Sequence, residues 1–326
     1  MPKVTVLVAV YNATRFLPKC LDSLLSQSVS DLQIVCIDDC STDGSLAMLQ
    51  DYASRDSRIQ VISLPENHGQ AFARNQGLKE ARGEYVCFLD ADDWFSPDAI
   101  ERALEVFGRE ADTDCVLFNV EYCYPDRVET YSMPDFDSLT GKEAFRLSLD
   151  WQIHGVYMVR TEIHQRFPYD DTCKSYSDDN TTRLHYLASR SVRKCDGTYH
   201  YLQHSGSVTH AVSVGRFDFL KANESMKRQL EALQVGDDIL NQWETTRQLV
   251  LVGLYMFYFC HGKELPKADA AYGLNELKRV WSTIDRSRLD PRLTAKFGYR
   301  PMPTWSLFRL QEWLYFTLRG LLKKNK

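Results

Sequence analysis

The fold this chain predicts is a doubly wound, mainly parallel α/β sheet with helices on both faces, followed by a C-terminal helical extension. Two observations carry that expectation. Short apolar runs alternate with segments of helical period through the first third. Two of those runs end in carboxylate clusters, Ile37-Asp38-Asp39 and Leu89-Asp90-Ala91-Asp92-Asp93. Ligands of open α/β sheets bind beyond the C-terminal strand ends, so acids gathered there suit a divalent cation better than they suit packing.

Val4 to Val10 alternates β-branched and small apolar side chains and predicts the first strand, and Ile34 to Ile37 and Tyr85 to Leu89 predict two more. Parallel neighbours need crossovers. Phe16 to Gln27, with Leu17, Cys20, Leu21, Leu24 and Leu25 at helical spacing, then Ser45 to Arg55 and Gly69 to Arg82, supply helices for them. Ser41, Thr42 and Asp43 offer the second helix an N-cap, and Gly83 reads as the stop of the third. Cys115 to Tyr122 predicts another strand and Pro125 to Pro134 a polar excursion, after which scattered acids, aromatics and histidines run to Val214. Beyond Arg216 the chain turns helical, over Phe217 to Leu233, Ile239 to Cys260, Ala268 to Trp281 and from Thr304 onward. Three parts are expected: 1–110, 111–215 and 216–326.

With 326 residues, 44% of them apolar, the chain can bury the core of one large domain or two modest ones. A formal charge of −5 argues against broad nucleic-acid binding. Nine cysteines, an odd number without a CxxC pair, fall mostly in strand-like or apolar runs and read as reduced core thiols of a cytoplasmic protein. The N-terminus enters the first strand without a basic, apolar leader, and the longest apolar run, Leu249 to Cys260, is too short for a bilayer. Neither a signal peptide nor a membrane span is therefore expected.

Between Tyr299 and Lys326 stand six basic residues and one acid. Leu307, Leu310, Leu314, Leu318 and Leu321 recur on one helical face; Trp305, Trp313 and Phe316 flank it, and Arg309, Arg319 and Lys323 oppose it. Residues 304–326 thus predict a basic amphipathic helix lying on an anionic membrane, peripheral on the inner face of the cell membrane. The plainer alternative is a terminal helix docked on the core.

Four ordered segments, Val4-Thr-Val-Leu-Val-Ala-Val-Tyr-Asn12, Ile37-Asp-Asp-Cys-Ser-Thr-Asp-Gly44, Asn67-His-Gly-Gln-Ala-Phe-Ala-Arg-Asn-Gln-Gly77 and Gly83-Glu-Tyr-Val-Cys-Phe-Leu-Asp-Ala-Asp-Asp93, resemble the signatures of family 2 glycosyltransferases, inverting enzymes of the GT-A fold. The resemblance is close over about the first 110 residues and looser to about residue 210. It implies transfer of a sugar from a nucleotide diphosphate donor, of the UDP kind, to a glycan or lipid-linked acceptor in surface polysaccharide or glycan assembly, with Mn²⁺ or Mg²⁺ as cofactor. Residues 1–110 would bind the donor and 111–215 the acceptor.

Residue by residue, the resemblance puts the Ala9 backbone and the Tyr11 ring at the base, where a flat apolar face with a polar tip suits a nucleobase. Asp38 and Asp39 would accept hydrogen bonds from base or ribose, with Arg74 reaching back toward the base-binding aspartate. Asp90-Ala91-Asp92 corresponds to the Asp-x-Asp signature. Asp92 is expected on the metal, Asp90 on the ribose, the metal or a metal-bound water, and Asp93 third, since three adjacent acids repel unless a cation offsets them. The base that takes the acceptor's proton is expected in Tyr176-Ser-Asp-Asp-Asn-Thr-Thr-Arg183, as Asp179 or its neighbour Asp178, where the family usually has Glu-Asp. The arginine common in the family near Gln203 and His204 is missing, so His204 or His210 would contact phosphate or metal instead.

Rival readings fit less well. A haloacid-dehalogenase-like phosphotransferase would carry its Asp-x-Asp on the first strand, and a receiver-like module would fill only about 120 residues. A dinucleotide dehydrogenase needs a G-x-G-x-x-G after the first strand. A catalytically silent nucleotide-sugar-binding module would not need Asp92 and Asp179.

Overall fold

The computed structural model describes residues 2–173, 176, 178–204 and 212–322. They form two compact units, one of residues 2–173 and 178–204, the other of Tyr176 and 212–322.

The first unit is built on one mixed sheet. Its strands are β1 (Val4–Val10), β2 (Leu32–Asp38), β3 (Ile59–Ser63), β4 (Tyr85–Phe88), β5 (Trp94–Phe95), β6 (Thr113–Cys123), β7 (Val128–Thr130), β8 (Leu139–Thr140), β9 (Tyr157–Arg160) and β10 (Ser191–Leu202). Its helices are α1 (Leu17–Leu25), α2 (Ser45–Arg55), α3 (Gln70–Lys79), α4 (Ala99–Arg109), α5 (Gly141–Ser148), α6 (Thr161–Arg166) and α7 (Asp178–Ala188). The order across the sheet is β3-β2-β1-β4-β9-β6-β10-β5, with β7 on β6 and β8 on β10. β3, β2, β1 and β4 run parallel, β9 is antiparallel to both β4 and β6, and β10 returns parallel to β6.

β1 and α2 coincide with the ranges their apolar patterns predict. β1 and β2 are almost wholly buried, which is what central parallel strands covered on both faces require. β3 is one of several strands the periodicity does not reveal, with β5, β7, β8, β9 and β10. It lies at the sheet edge and of its five residues only Ile59 is buried, so it lacks the continuous apolar signature. β1 has β2 on one side and β4 on the other, so the strand order reverses there. The ends of β1, β2 and β4 share the rim beside that reversal.

Gly83 has a different job from the helix stop its position suggests. α3 ends at Lys79, and a Cβ on Gly83 would lie 2.5 Å from the Thr5 amide nitrogen and 2.7 Å from the Val4 carbonyl carbon. The glycine is needed because two backbones touch there. Thr5 Oγ1 accepts from the Gly83 amide at 2.9 Å and donates to Gln33 Oε1 at 2.8 Å, which ties β1 to its neighbours below the site.

The second unit is helical: α8 (Asp218–Ala232), α9 (Asp237–His261), α10 (Lys267–Trp281), α11 (Pro291–Thr294) and α12 (Trp305–Leu321). They share an apolar core that includes Phe217, Leu251, Tyr255, Leu277, Phe308 and Phe316. A buried ion pair crosses it, Arg247 donating to Glu244 Oε1 at 2.7 Å and to Thr283 Oγ1 at 2.7 Å. Among the described residues no helix is long and apolar enough to cross a membrane.

α12 is docked on the helical core, as the plainer alternative expects. It docks through Phe308 and Phe316, whose rings meet Tyr255 and Phe259 of α9 at centroid distances of 5.5 and 5.8 Å. The leucine stripe points elsewhere: Leu310 is 53% exposed, Leu318 52% and Leu321 77%, with Leu307, Trp313 and Leu314 also exposed. Gln311 and Glu312 are buried instead. Lys323 lies outside the described residues.

Candidate active site

The rim beside β1 is assembled from short polar loops. Asn12 and Cys40 both take left-handed backbone, with φ of 51° and 62°. Asn12 Oδ1 accepts from the Thr42 amide at 2.8 Å, which braces the loop after β1 against the loop after β2. Asp43 accepts from the amides of Ser45 at 2.9 Å and Thr14 at 3.2 Å; against the push of burial, these bonds hold its carboxyl down to about 2. Its task is structural, as its place before α2 suggests.

Asp38 ends β2 and Asp39 follows it, but the two do different work. Asp39 accepts from the backbone amides of His68 at 2.9 Å and Gly69 at 2.8 Å, and so fixes the loop that starts α3. Asp38 accepts from the Ser41 amide at 3.2 Å, while its buried Oδ1 has no hydrogen-bond partner among the described residues. An unsatisfied buried carboxylate oxygen in a ligand rim is a group waiting for a donor. Ala9 is half-buried near the end of β1 and Tyr11 is 52% exposed just past it.

The acids after β4 are sorted by their partners. Asp90 Oδ1 accepts from Gln70 Nε2 at 2.8 Å and from the Arg74 guanidinium. Arg74 therefore pairs with the Asp-x-Asp segment rather than with Asp38 or Asp39. The correction has a simple cause: α3 lays Gln70 and Arg74, one helical turn apart, along the rim toward β4. Arg74 is buried, its guanidinium carbon 4.1 Å from the centroid of the Phe88 ring. Burial raises the Asp90 carboxyl above its ordinary value, Arg74 opposes, and Asp92 and Asp178 add to the rise.

Asp93 is braced by two donors. It is fully buried, with Oδ2 accepting from the Tyr199 hydroxyl at 2.6 Å and Oδ1 from the Leu202 amide at 2.7 Å. Burial, then the charges of Asp90 and Asp92, push its carboxyl up to about 9. The repulsion among the three acids is eased on one side by the buried Arg74 guanidinium. Asp92 remains for a ligand, with Oδ2 2.9 Å from His204 Nε2. The His204 ring stacks on Phe16 at 4.9 Å. His210 lies outside the described residues.

α7 forms the facing wall. Its start is anchored where Asn180 Nδ2 donates to Asp170 Oδ2 at 2.7 Å and Thr181 Oγ1 accepts from the Asp170 backbone amide at 3.0 Å. Asp178 and Asp179 occupy its first turn. Burial pushes the Asp179 carboxyl up to about 7, the charge of Asp178 adds to that, and Arg183 one turn later opposes it. Asn75, next to Arg74, clamps the loop before α7 through reciprocal bonds of 2.8 Å with the Tyr169 backbone.

A cavity of about 170 Å³ opens between these walls, lined by Arg74, Asp90, Asp93, Tyr169, Asp178 and Asp179 among others. Four of the predicted site residues, Arg74, Asp90, Asp178 and Asp179, thus share one hollow. Ala9, Tyr11, Asp38, Asp39 and Asp92 are not among its walls. Among the described residues no three histidines, cysteines or acids converge as a metal cage. Gln70, Asn75, Trp151, Tyr199 and Arg183 belong to the site although sequence reasoning assigns them nothing. Only the buried-looking helix around Arg74 and the aromatic run at Tyr199 offered a signal.

Comparison with known proteins agrees with this fold. The family model described as glycosyl transferase family 2 matches residues 5–167, half of the chain. EpsH of Bacillus subtilis, provisionally described as a glycosyltransferase, is 28% identical over 75% of this chain and 78% of its own length. The poly(ribitol-phosphate) beta-glucosyltransferase of Bacillus spizizenii is 28% identical over 78% of this chain, which spans only 39% of that protein. The crystal structure of S. aureus TarS 1-349 in complex with UDP-GlcNAc shares the fold, with a TM-score of 0.76 over 97% of this chain and 92% of that one at 20% identity. A mixed, mostly parallel sheet reversing at β1, acids at its rim and a family match across that half of the molecule converge: the chain belongs to glycosyl transferase family 2 and is a nucleotide-sugar glycosyltransferase of the GT-A fold.

Proposed function

We propose that this enzyme is an inverting, metal-dependent transferase that takes a sugar from a UDP-linked donor and passes it to a glycan or lipid-linked acceptor at an anionic membrane surface on the cytoplasmic side. The observation that carries the reading is Asp179, a carboxyl lifted to about 7 in the cavity that also holds Asp90 and Arg74. A general base works best when its pKa lies near the operating pH. In this mechanism Asp179 receives the acceptor hydroxyl's proton as that oxygen attacks the anomeric carbon from the face opposite the departing nucleoside diphosphate. Asp178 stands beside Asp179 in the first turn of α7, and Arg74 holds Asp90 in place for the donor.

Asp92 and His204 would hold the divalent ion, and their donor atoms fit one that takes one or two protein ligands and completes its shell with phosphate and water. When bound, the ion supplies positive charge to the leaving diphosphate. The UDP assignment is supported by the nucleotide bound to TarS, and the surface-polymer acceptor by the ribitol-phosphate relative. Membrane association through residues 304–326 is supported by the exposed leucines of α12.

The test is a panel of nucleotide sugars with Mn²⁺. At least one should be slowly hydrolysed, and Asp92→Ala or excess chelator should abolish that hydrolysis. Hydrolysis undiminished by either would remove the metal from the mechanism.

A further inference from the structure

We propose that the indole of Trp151 is the platform on which a pyranose ring of the acceptor stacks, an assignment that rests on the reading of Asp179 as base. Trp151 has φ of 58°, a left-handed backbone that a bulky aromatic adopts only where its surroundings hold it there. Two neighbours do the holding. The Tyr131 hydroxyl donates to the Trp151 carbonyl, and the guanidinium carbon of Arg183 sits 5.1 Å from the indole centroid. Arg183 is itself buried and donates to the Ser148 carbonyl at 3.5 Å.

Such a constrained aromatic would ordinarily be buried. Trp151 is 39% exposed and lines the cavity that contains Asp178 and Asp179. A tryptophan in left-handed backbone, braced at its carbonyl and its ring and yet left partly open, is a preformed contact surface rather than core. Its chemistry matches one face of a sugar. A pyranose presents a patch of C–H bonds on one side and hydroxyls around its edge; a flat indole suits the first, and the carboxylates of α7 suit the second. Arg183 stands one helical turn after Asp179 and contacts the indole, and Trp151 and Asp179 line the same cavity. The base faces the acceptor hydroxyl, and the ring beside it therefore receives the acceptor rather than the donor.

The test uses saturation-transfer-difference NMR with the full chain, UDP, Mn²⁺ and p-nitrophenyl glycosides of glucose, galactose and N-acetylglucosamine as probes. Wild type should saturate the ring protons of at least one probe. Trp151→Ala should weaken that binding roughly tenfold and Trp151→Phe should restore most of it, since loss of a stacked ring removes both buried area and the π-face contact. Circular dichroism and the UDP-induced rise in melting temperature show whether Trp151→Ala is folded with its nucleotide site intact. Equal saturation in wild type and Trp151→Ala, or none in wild type for any probe, overturns the proposal. So does a folded Trp151→Ala that has lost its response to UDP, which would put the indole on the donor. A wild type that does not respond to UDP at all counts against the donor reading instead.

Discussion

Asp179 shows how one residue's surroundings set its chemistry. An exposed aspartate is ionised at every physiological pH, so a rate depending on it is flat above about pH 5. Burial lifts Asp179 to about 7, with Asp178 pushing the same way and Arg183 against. Because the base must be ionised to accept a proton, kcat/KM for transfer should rise as pH increases through about 7 and level off above it. A flat profile from pH 5 to 9 would exclude Asp179 from that role. Asp179→Asn should lower transfer by about 10²- to 10⁴-fold while the UDP-induced melting shift persists. The acids themselves were legible as strand-end and helix-start clusters. Their partners were not, because Tyr199 and Asp93 lie 106 positions apart, and only the folded chain makes them neighbours. The same distance problem hides the tie from Asn75 to Tyr169.

At the scale of one element, α12 joins two contradictory faces. Its apolar stripe was readable as a leucine repeat, but a repeat does not say which side docks. Docking falls to Phe308 and Phe316, and this turns Glu312 inward, where one carboxylate oxygen has no partner among the described residues. Burial raises the Glu312 carboxyl from an ordinary 4.5 to about 8, the hydrogen bond from Gln311 opposing. The folded chain therefore retains a proton between about pH 4.5 and 8 that the unfolded chain releases, so stability falls as pH rises across that window. Glu312→Gln should flatten this dependence. Thermal melts should show the variant more stable than wild type at about pH 9 and close to it at about pH 4. Parallel loss of melting temperature in both proteins would assign the pH response to other groups.

Charge is distributed unevenly over the whole molecule. The chain carries −5, yet the one acid in residues 299–326 is the buried Glu312, so every exposed charge of the described part of that segment is positive. Net charge would repel an anionic surface, whereas a local basic helix with exposed leucines attracts it. Vesicles containing phosphatidylglycerol should bind the protein and phosphatidylcholine vesicles should bind it far less. Added salt should weaken the interaction, because the Debye length shortens to about 3 Å at 1 M. Substituting Leu310, Leu314 and Leu318 with serine should reduce partitioning by roughly tenfold per leucine inserted. Co-sedimentation reads both effects, and equal binding to neutral vesicles or an unaffected triple variant would remove the membrane from the proposal.

Local pattern was enough to announce a parallel sheet, its crossover helices and acids at its rim, because strand and helix periodicity and the order of four short segments are properties of neighbours in the chain. It could not decide which acid is ionised, which is a brace and which meets a ligand. Those outcomes depend on burial and on partners brought from far along the sequence: Arg74 against Asp90, Tyr199 against Asp93, His204 against Asp92 and Arg183 between Asp179 and Trp151. Electrostatic energy varies with distance in space and with access to water, and only the folded chain sets either of them.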